Sequence, residues 1–288
     1  MNSPIDLSQL PAPNVIEPLD YETLLAERKA RLIALHPEEE REAVTELLAL
    51  ESEPLVKLLQ ENAYRELLLR QRINEAARAV MLAYARDADL EQIGANYSVA
   101  RLEDETDPNY RRRIQLSPEG YSTAGPAEGY RFHALGADPN VKDASITSPA
   151  PGEVMITVLA RSGNGTAGPT LLTSVLNTVG ADDVRPLTDR VNVQSALINA
   201  YTVEARLVID EGPDAGVVQD AAVDETERLV AERHALGRDV PLSALYAALH
   251  RPGVQAVELL RPTADIHCDK QHAPFCTGIS VTVSRGDS

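Results

Sequence analysis

The chain has no tryptophan and only two phenylalanines, and aromatic residues make up 4% of its 288 positions. Its core must therefore be aliphatic, and aromatic-lined pockets that stack sugars or bases are not expected. Cys268 and Cys276 are its two cysteines, too few to staple a chain of this length, so no disulfide framework is expected. No stretch approaches the roughly 18 consecutive apolar residues of a membrane span. The opening MNSPIDLSQLPAPNVIEPLD has neither a basic n-region nor an apolar h-region, so no secretory signal is expected. Basic charge is also scarce: 27 Lys and Arg face 44 Asp and Glu, a formal net charge of −17. Phosphate backbones and anionic membranes repel such a chain, which argues against nucleic acid or membrane as partners. The expectation is a soluble cytoplasmic protein with two or three domains.

What the chain has in quantity is helix. The longest signal runs from Ser52 to Arg86, free of glycine, with its only proline, Pro54, in the first turn where a missing N–H is tolerated. Ser52 is placed to be the N-cap. Leu55, Leu58, Leu59, Ala63, Leu67, Ile73, Ala76, Ala77, Val80, Met81 and Tyr84 follow steps of three and four, as one apolar face requires. Glu61–Arg65 and Glu66–Arg70 are i,i+4 pairs in the favourable order. A rod about 50 Å long exceeds what a compact domain needs. Gln60, Asn62, Arg72 and Asn74 interrupt its stripe, as partner-specifying polar residues do. The expected partner interface is Leu55, Leu58, Leu59, Asn62, Leu69, Ile73 and Val80.

Around the rod the chain reads as α+β and multidomain. Residues 1–19, with four prolines, form an extended arm. Residues 20–102 form a helical domain, with helices at 21–35, 38–50 and 89–97 beside the rod. After a linker at 103–109, a middle α+β domain runs to 189, with a loop at Ser122–Gly125, strands at 144–148 and 153–160, and a helix at 169–179. Residues 190–288 form a C-terminal α+β domain, with strands at 190–198, 201–209, 257–262 and 278–283, a turn at 212–216, a helix at 217–236, and within 240–254 a helix that starts near Ser243 and stops at Pro252-Gly253.

Candidate chemistry is thin. GNGTAG at 163–168 spells G-x-G-x-x-G between a strand and a helix. Its first glycine comes several residues after the strand, Pro169 follows its third, and the acidic residue downstream, Asp189, precedes the next strand. A strand-to-helix loop is the expectation, with no cofactor. His267, Cys268, His272 and Cys276 are zinc-ligand types at a spacing that no recognised site uses, so loop polarity and buried thiols are expected, and no metal. No G-x-S-x-G elbow or cysteine signature marks a nucleophile, so no catalytic residue is assigned. The basic islands ERKAR and YRRRI read as salt-bridge partners.

The run ALESEPLVKLLQENAYRELLLRQRINEAARAVMLAYARDADLEQIGANYSVAR resembles the N-terminal region of the baseplate J-like family of contractile-tailed phages. Tyr110–Ile114, Glu119–Pro126, Tyr130, His133-Ala134, ASITSPAPGEVMITVLAR, VRPLTDRVNVQSA and GRDVPLSALYAALHRPGVQAVEL continue the likeness in order over nearly the whole chain. The resemblance implies a structural baseplate wedge component of the virion tail, assembled in the host cytoplasm. It implies two copies joined to a second wedge protein by a three-chain helical bundle. Copies of the chain would then meet, beside sheath-initiator or hub-proximal proteins, to ring the tail hub. Separate modules on linkers could take two orientations, and Asn62 and Asn74 would fix the bundle's register. The alternatives are an adaptor using the rod for another helical partner, told apart only by partner identity, and a dinucleotide enzyme resting on GNGTAG.

Overall fold

A computed structural model of the protein describes residues 5–11, 13–121, 126–210 and 214–285. The chain divides into two compact units, Met1–Ala100, which is helical, and Arg101–Ser288, which mixes helices with two small sheets. This is the architecture the sequence leads one to expect. The loop at Ser122–Gly125 and the first two residues of the turn at 212–216 lie outside the described residues.

The first unit contains α1 (Tyr21–Leu35), α2 (Arg41–Leu47), α3 (Pro54–Ala79) and α4 (Asp87–Asn96). Asp20 caps α1, its carboxylate accepting from the Thr23 N–H at 2.8 Å, and His36, extended before Pro37, ends it. Leu24 and Leu25 of α1 bury against Ala63 of α3, with Tyr21, Leu59 and Leu67 packed around them. Glu66 ties the two helices together, accepting from Arg28 of α1 and from Arg70 at 2.7 Å. Those two bonds, Arg28's the larger, hold its carboxyl below the usual range. Lys29 donates to the Leu48 carbonyl at 2.9 Å, so Arg28 and Lys29 of the ERKAR island have internal partners.

α3 is shorter than the sequence predicts at both ends. Pro54 takes the first turn, but the N-cap is Glu53, without a side-chain cap bond, and not Ser52. At the other end Val80 is the C-cap, and the chain turns through residues 80–84. Asn74 also departs from expectation. It is buried, with its side chain accepting from the Glu17 N–H at 3.2 Å and donating to the Glu17 carbonyl at 2.9 Å. It therefore pins this chain's own arm, and Arg70 holds the Glu17 carboxylate at 3.1 Å. Asn74→Ala is expected to cost about 1–2 kcal/mol and to expose the Glu17 amide, read as faster hydrogen exchange there.

The second unit opens with α5 (Asp107–Gly120), which takes in the last residues of the predicted linker, and α6 (Ala127–Gly136). β1 (Val141–Thr147), β2 (Glu153–Ala160), α7 (Pro169–Val179) and β3 (Arg190–Ser195) follow. β1 is antiparallel and β3 parallel to β2, so α7 is the crossover that a parallel pair needs. Tyr130, Ala134, Val141, Ile156, Val158, Leu171 and Val175 lie in its core. The strand predicted at 190–198 ends at Ser195 and completes this first sheet, instead of opening the next.

β4 (Leu197–Ile209), α8 (Ala215–Arg233), α9 (Leu242–Leu249), β5 (Val254–Arg261) and β6 (His272–Arg285) make the rest, in a sheet ordered β5-β4-β6. β6 is much longer than the strand read at 278–283. Tyr201, Val203, Ala205, Leu207 and Ile209 alternate along β4 into the core beneath the helices, as a period of two requires.

The two sheets follow one another directly along the chain. Buried Ala196 alone stands between β3 and β4, donating its N–H to Val158 at 2.8 Å. Leu159, Ala196 and Ala273 pack together there with Ile198 and Leu236. Asp143 on β1 ties the junction further. It accepts from Arg131 at 2.8 Å, from Arg112 at 3.0 Å, and from the Leu236 N–H at 3.3 Å. Burial opposes its charge, but the Arg131 and Arg112 guanidiniums outweigh burial and hold its carboxyl below the usual range.

Candidate functional site

The candidate site is a face of α3, and helix geometry explains why one helix carries two apolar surfaces. Val56 and Ala63 are buried, with Leu59 and Leu67 half-buried beside them, on the side that α1 covers. At 100° per residue, Leu55, Leu58, Asn62, Leu69 and Ile73 fall in a sector only about 60° wide, roughly 110° from the covered side. This second face is open: Leu58 is 56% exposed, Leu69 67% and Ile73 58%. Lone exposed leucines are ordinary; here they align in one row along the rod.

Of the seven residues predicted for the interface, Leu55, Leu58, Asn62, Leu69 and Ile73 share the open face. Leu59 does not, because it packs toward α1. Val80 does not either, because the helix stops before it, leaving it 76% exposed in the turn. Sequence reasoning missed Tyr64 and Leu68, which are exposed on a third side of the rod at an i,i+4 step. A single-stripe template hides them, because they lie away from both the covered and the open face. Arg65 and Arg72 edge the open face, paired with Glu61 at 2.6 Å and Glu75 at 3.8 Å.

The other candidates have structural employment. In GNGTAG the chain folds straight back on β2: Thr166 bridges Leu159, and the Ala160 N–H donates to Gly165 at 2.8 Å. Gly165 has φ +96°, and a Cβ there would lie 2.5 Å from the Leu159 side chain and 3.1 Å from the His234 ring. That glycine is a packing requirement at the junction between sheets. Asp189, the would-be ribose acid, accepts from the Tyr130 hydroxyl at 2.8 Å and so holds α6 to the loop before β3. Burial, and then Asp189, push the Tyr130 hydroxyl well above its usual range.

Among the described residues no group of three or more His, Cys, Asp or Glu is arranged to hold a metal. His267 pairs with Asp239 at 3.2 Å and His272 with Asp269 at 2.6 Å. Cys268 is buried against the Asn199 amide, and burial raises both thiols. Two of the three YRRRI arginines are ion-pair partners: Arg113 meets Glu105 at 2.7 Å with both side chains nearly buried, and Arg112 meets Asp143.

Three family models match in chain order: the Baseplate J-like N-terminal domain at residues 51–105, the Baseplate J-like central domain at 122–195 and the Baseplate J-like protein C-terminal domain at 201–282. Baseplate protein J of Escherichia phage P2 is 52% identical over 298 aligned residues, covering 98% of this chain and 99% of that one. The chain belongs to the baseplate J-like family. The family's N-terminal model holds α3 with its open face, and its central model ends at Ser195, where β3 ends. A chain in the cryo-EM baseplate of the anti-feeding prophage is 17% identical, with a TM-score of 0.43 over 62% of this chain. The likeness spans 43% of that chain, under half of its length.

Proposed function

We propose that the open face of α3 joins this chain to a three-chain helical bundle, in which two copies meet a second wedge protein, and that the second unit links such wedges into a ring. The chain itself is a structural baseplate J homologue of the phage tail that takes part in baseplate assembly, and it is not an enzyme. The observation that carries the proposal is the row Leu58, Leu69 and Ile73, solvent-exposed on a helix already packed on its other side. Desolvating one such side chain contributes about 1.5–3 kcal/mol, and a row shared among three helices adds such contributions along the rod. Asn62, half-buried in that row, is the residue suited to fix register; Asn74 is committed to Glu17. Copies of the chain, and sheath-initiator or hub-proximal proteins, are the neighbours proposed for the second unit.

Native mass spectrometry tests the bundle, on the chain alone and co-expressed with the protein encoded immediately downstream. A heterotrimer with two copies of this chain is the expected result. A monomer indifferent to its neighbour would remove the bundle and favour an adaptor with another helical partner.

A further inference from the structure

The end of α3 is not where the sequence puts it, and nothing local explains the stop. Residues 80–86 read Val-Met-Leu-Ala-Tyr-Ala-Arg, without glycine, proline or a capping side chain, and several of them are among the best helix formers. The structure nonetheless turns there: the Met81 N–H donates to Arg78 at 3.1 Å, and the Tyr84 and Ala85 N–H groups both donate to Met81 at 2.9 Å. The turn delivers the chain to Asp87 at φ +46°, a left-handed conformation that residues other than glycine adopt at a cost. It is also packed, with Ala85 buried and Leu82, Ala85 and Asp87 all engaged, so it is a defined alternative and not a frayed end.

The open face points to the other state. Its residues recur at steps of eleven: Leu58, Leu69 and Val80 form one row, and Asn62, Ile73 and Tyr84 form the next. Eleven residues are three turns of a nearly straight helix, so the rows stay on one face only while the chain remains helical. As the chain stands, both rows break at their last members.

We infer that residues 80–86 are a coil-to-helix switch, which extends α3 to Arg86 and brings Val80 and Tyr84 onto the open face when a partner helix docks. This rests on the bundle reading above. The extension lengthens the rod by about 10 Å. Docking supplies the differential contact that moves a bistable segment, because only the extended state offers the two added apolar side chains to the partner.

Amide hydrogen exchange over 78–88 is the test, on the full-length chain alone and in its co-expressed complex. Exchange at 80–86 is expected to slow by at least about tenfold in the complex. Ala83→Gly is expected to weaken the complex about fivefold, the cost of one glycine in a helix interior, with the free chain's helix content unchanged. A complex whose 80–86 amides exchange as in the free chain, or one that Ala83→Gly leaves equally tight, overturns the switch and leaves the bundle standing. The absence of any complex overturns both.

Discussion

Leu58→Asp combined with Ile73→Asp is expected to abolish recovery of the heterotrimer while the free chain stays folded. The two parts of this outcome have separate causes. In the free chain both side chains are more than half exposed, so two carboxylates there stay hydrated, and the α1–α3 contact through Leu24, Leu25 and Ala63 is untouched. In a bundle the same positions are enclosed by neighbouring helices, and an unpaired buried charge costs about 3–5 kcal/mol. Two such charges in each of two copies exceed what a helical interface of this length supplies. Circular dichroism and size exclusion should show a normal free chain, and native mass spectrometry should show no complex. Intact heterotrimers from the double variant would exclude the open face from the interface. Leu59→Asp is the informative contrast: Leu59 packs toward α1, so its replacement should damage the fold of the first unit before it affects assembly.

The contrast between Leu58 and Leu59 marks where sequence periodicity stops being informative. Steps of three and four identify α3 and its apolar character, but a helix apolar on two sides satisfies that template through either face. Only the packing of α1 distinguishes the covered side from the open one. Asn74 shows the same limit. A polar residue in an apolar stripe reads as a register device, and only the tertiary position of Glu17 reveals that it holds the arm instead. Local elements whose signals are intrinsic were legible nearly to the residue. β2 carries a run of apolar residues bounded by turns, and α7 lies between Pro169 and Gly180. The stop at Val80 was not legible, because the segment's own preference is helical and tertiary contacts override it. Asp143 was invisible as well, since its four elements come together only in three dimensions.

Asp143→Ala is expected to destabilise the second unit by about 3 kcal/mol, or about 6–12 °C in melting temperature for a unit of this size. The carboxylate is 4% exposed and joins α5, α6 and the segment after α8 to β1. Its removal leaves the Arg131 guanidinium, three-quarters enclosed, with only Glu128 at 3.6 Å. Arg112 is more exposed and is compensated by water, so most of the cost falls on Arg131. The effect has a pH signature that a packing defect lacks. Asp143 titrates lower in the folded chain than the ordinary value near 3.9, so its contribution is complete above about pH 4 and disappears as pH falls through the folded value. The melting temperatures of the wild type and Asp143→Ala should therefore differ by a constant amount from pH 7 down to about pH 4 and converge below it. A difference that persists unchanged into acid would mean that the lost volume, and not the charge, is what matters. Because Asp143 also receives the Leu236 N–H, the same variant should speed exchange at Leu236. That would show the carboxylate holding the two sheets of the second unit together as one body.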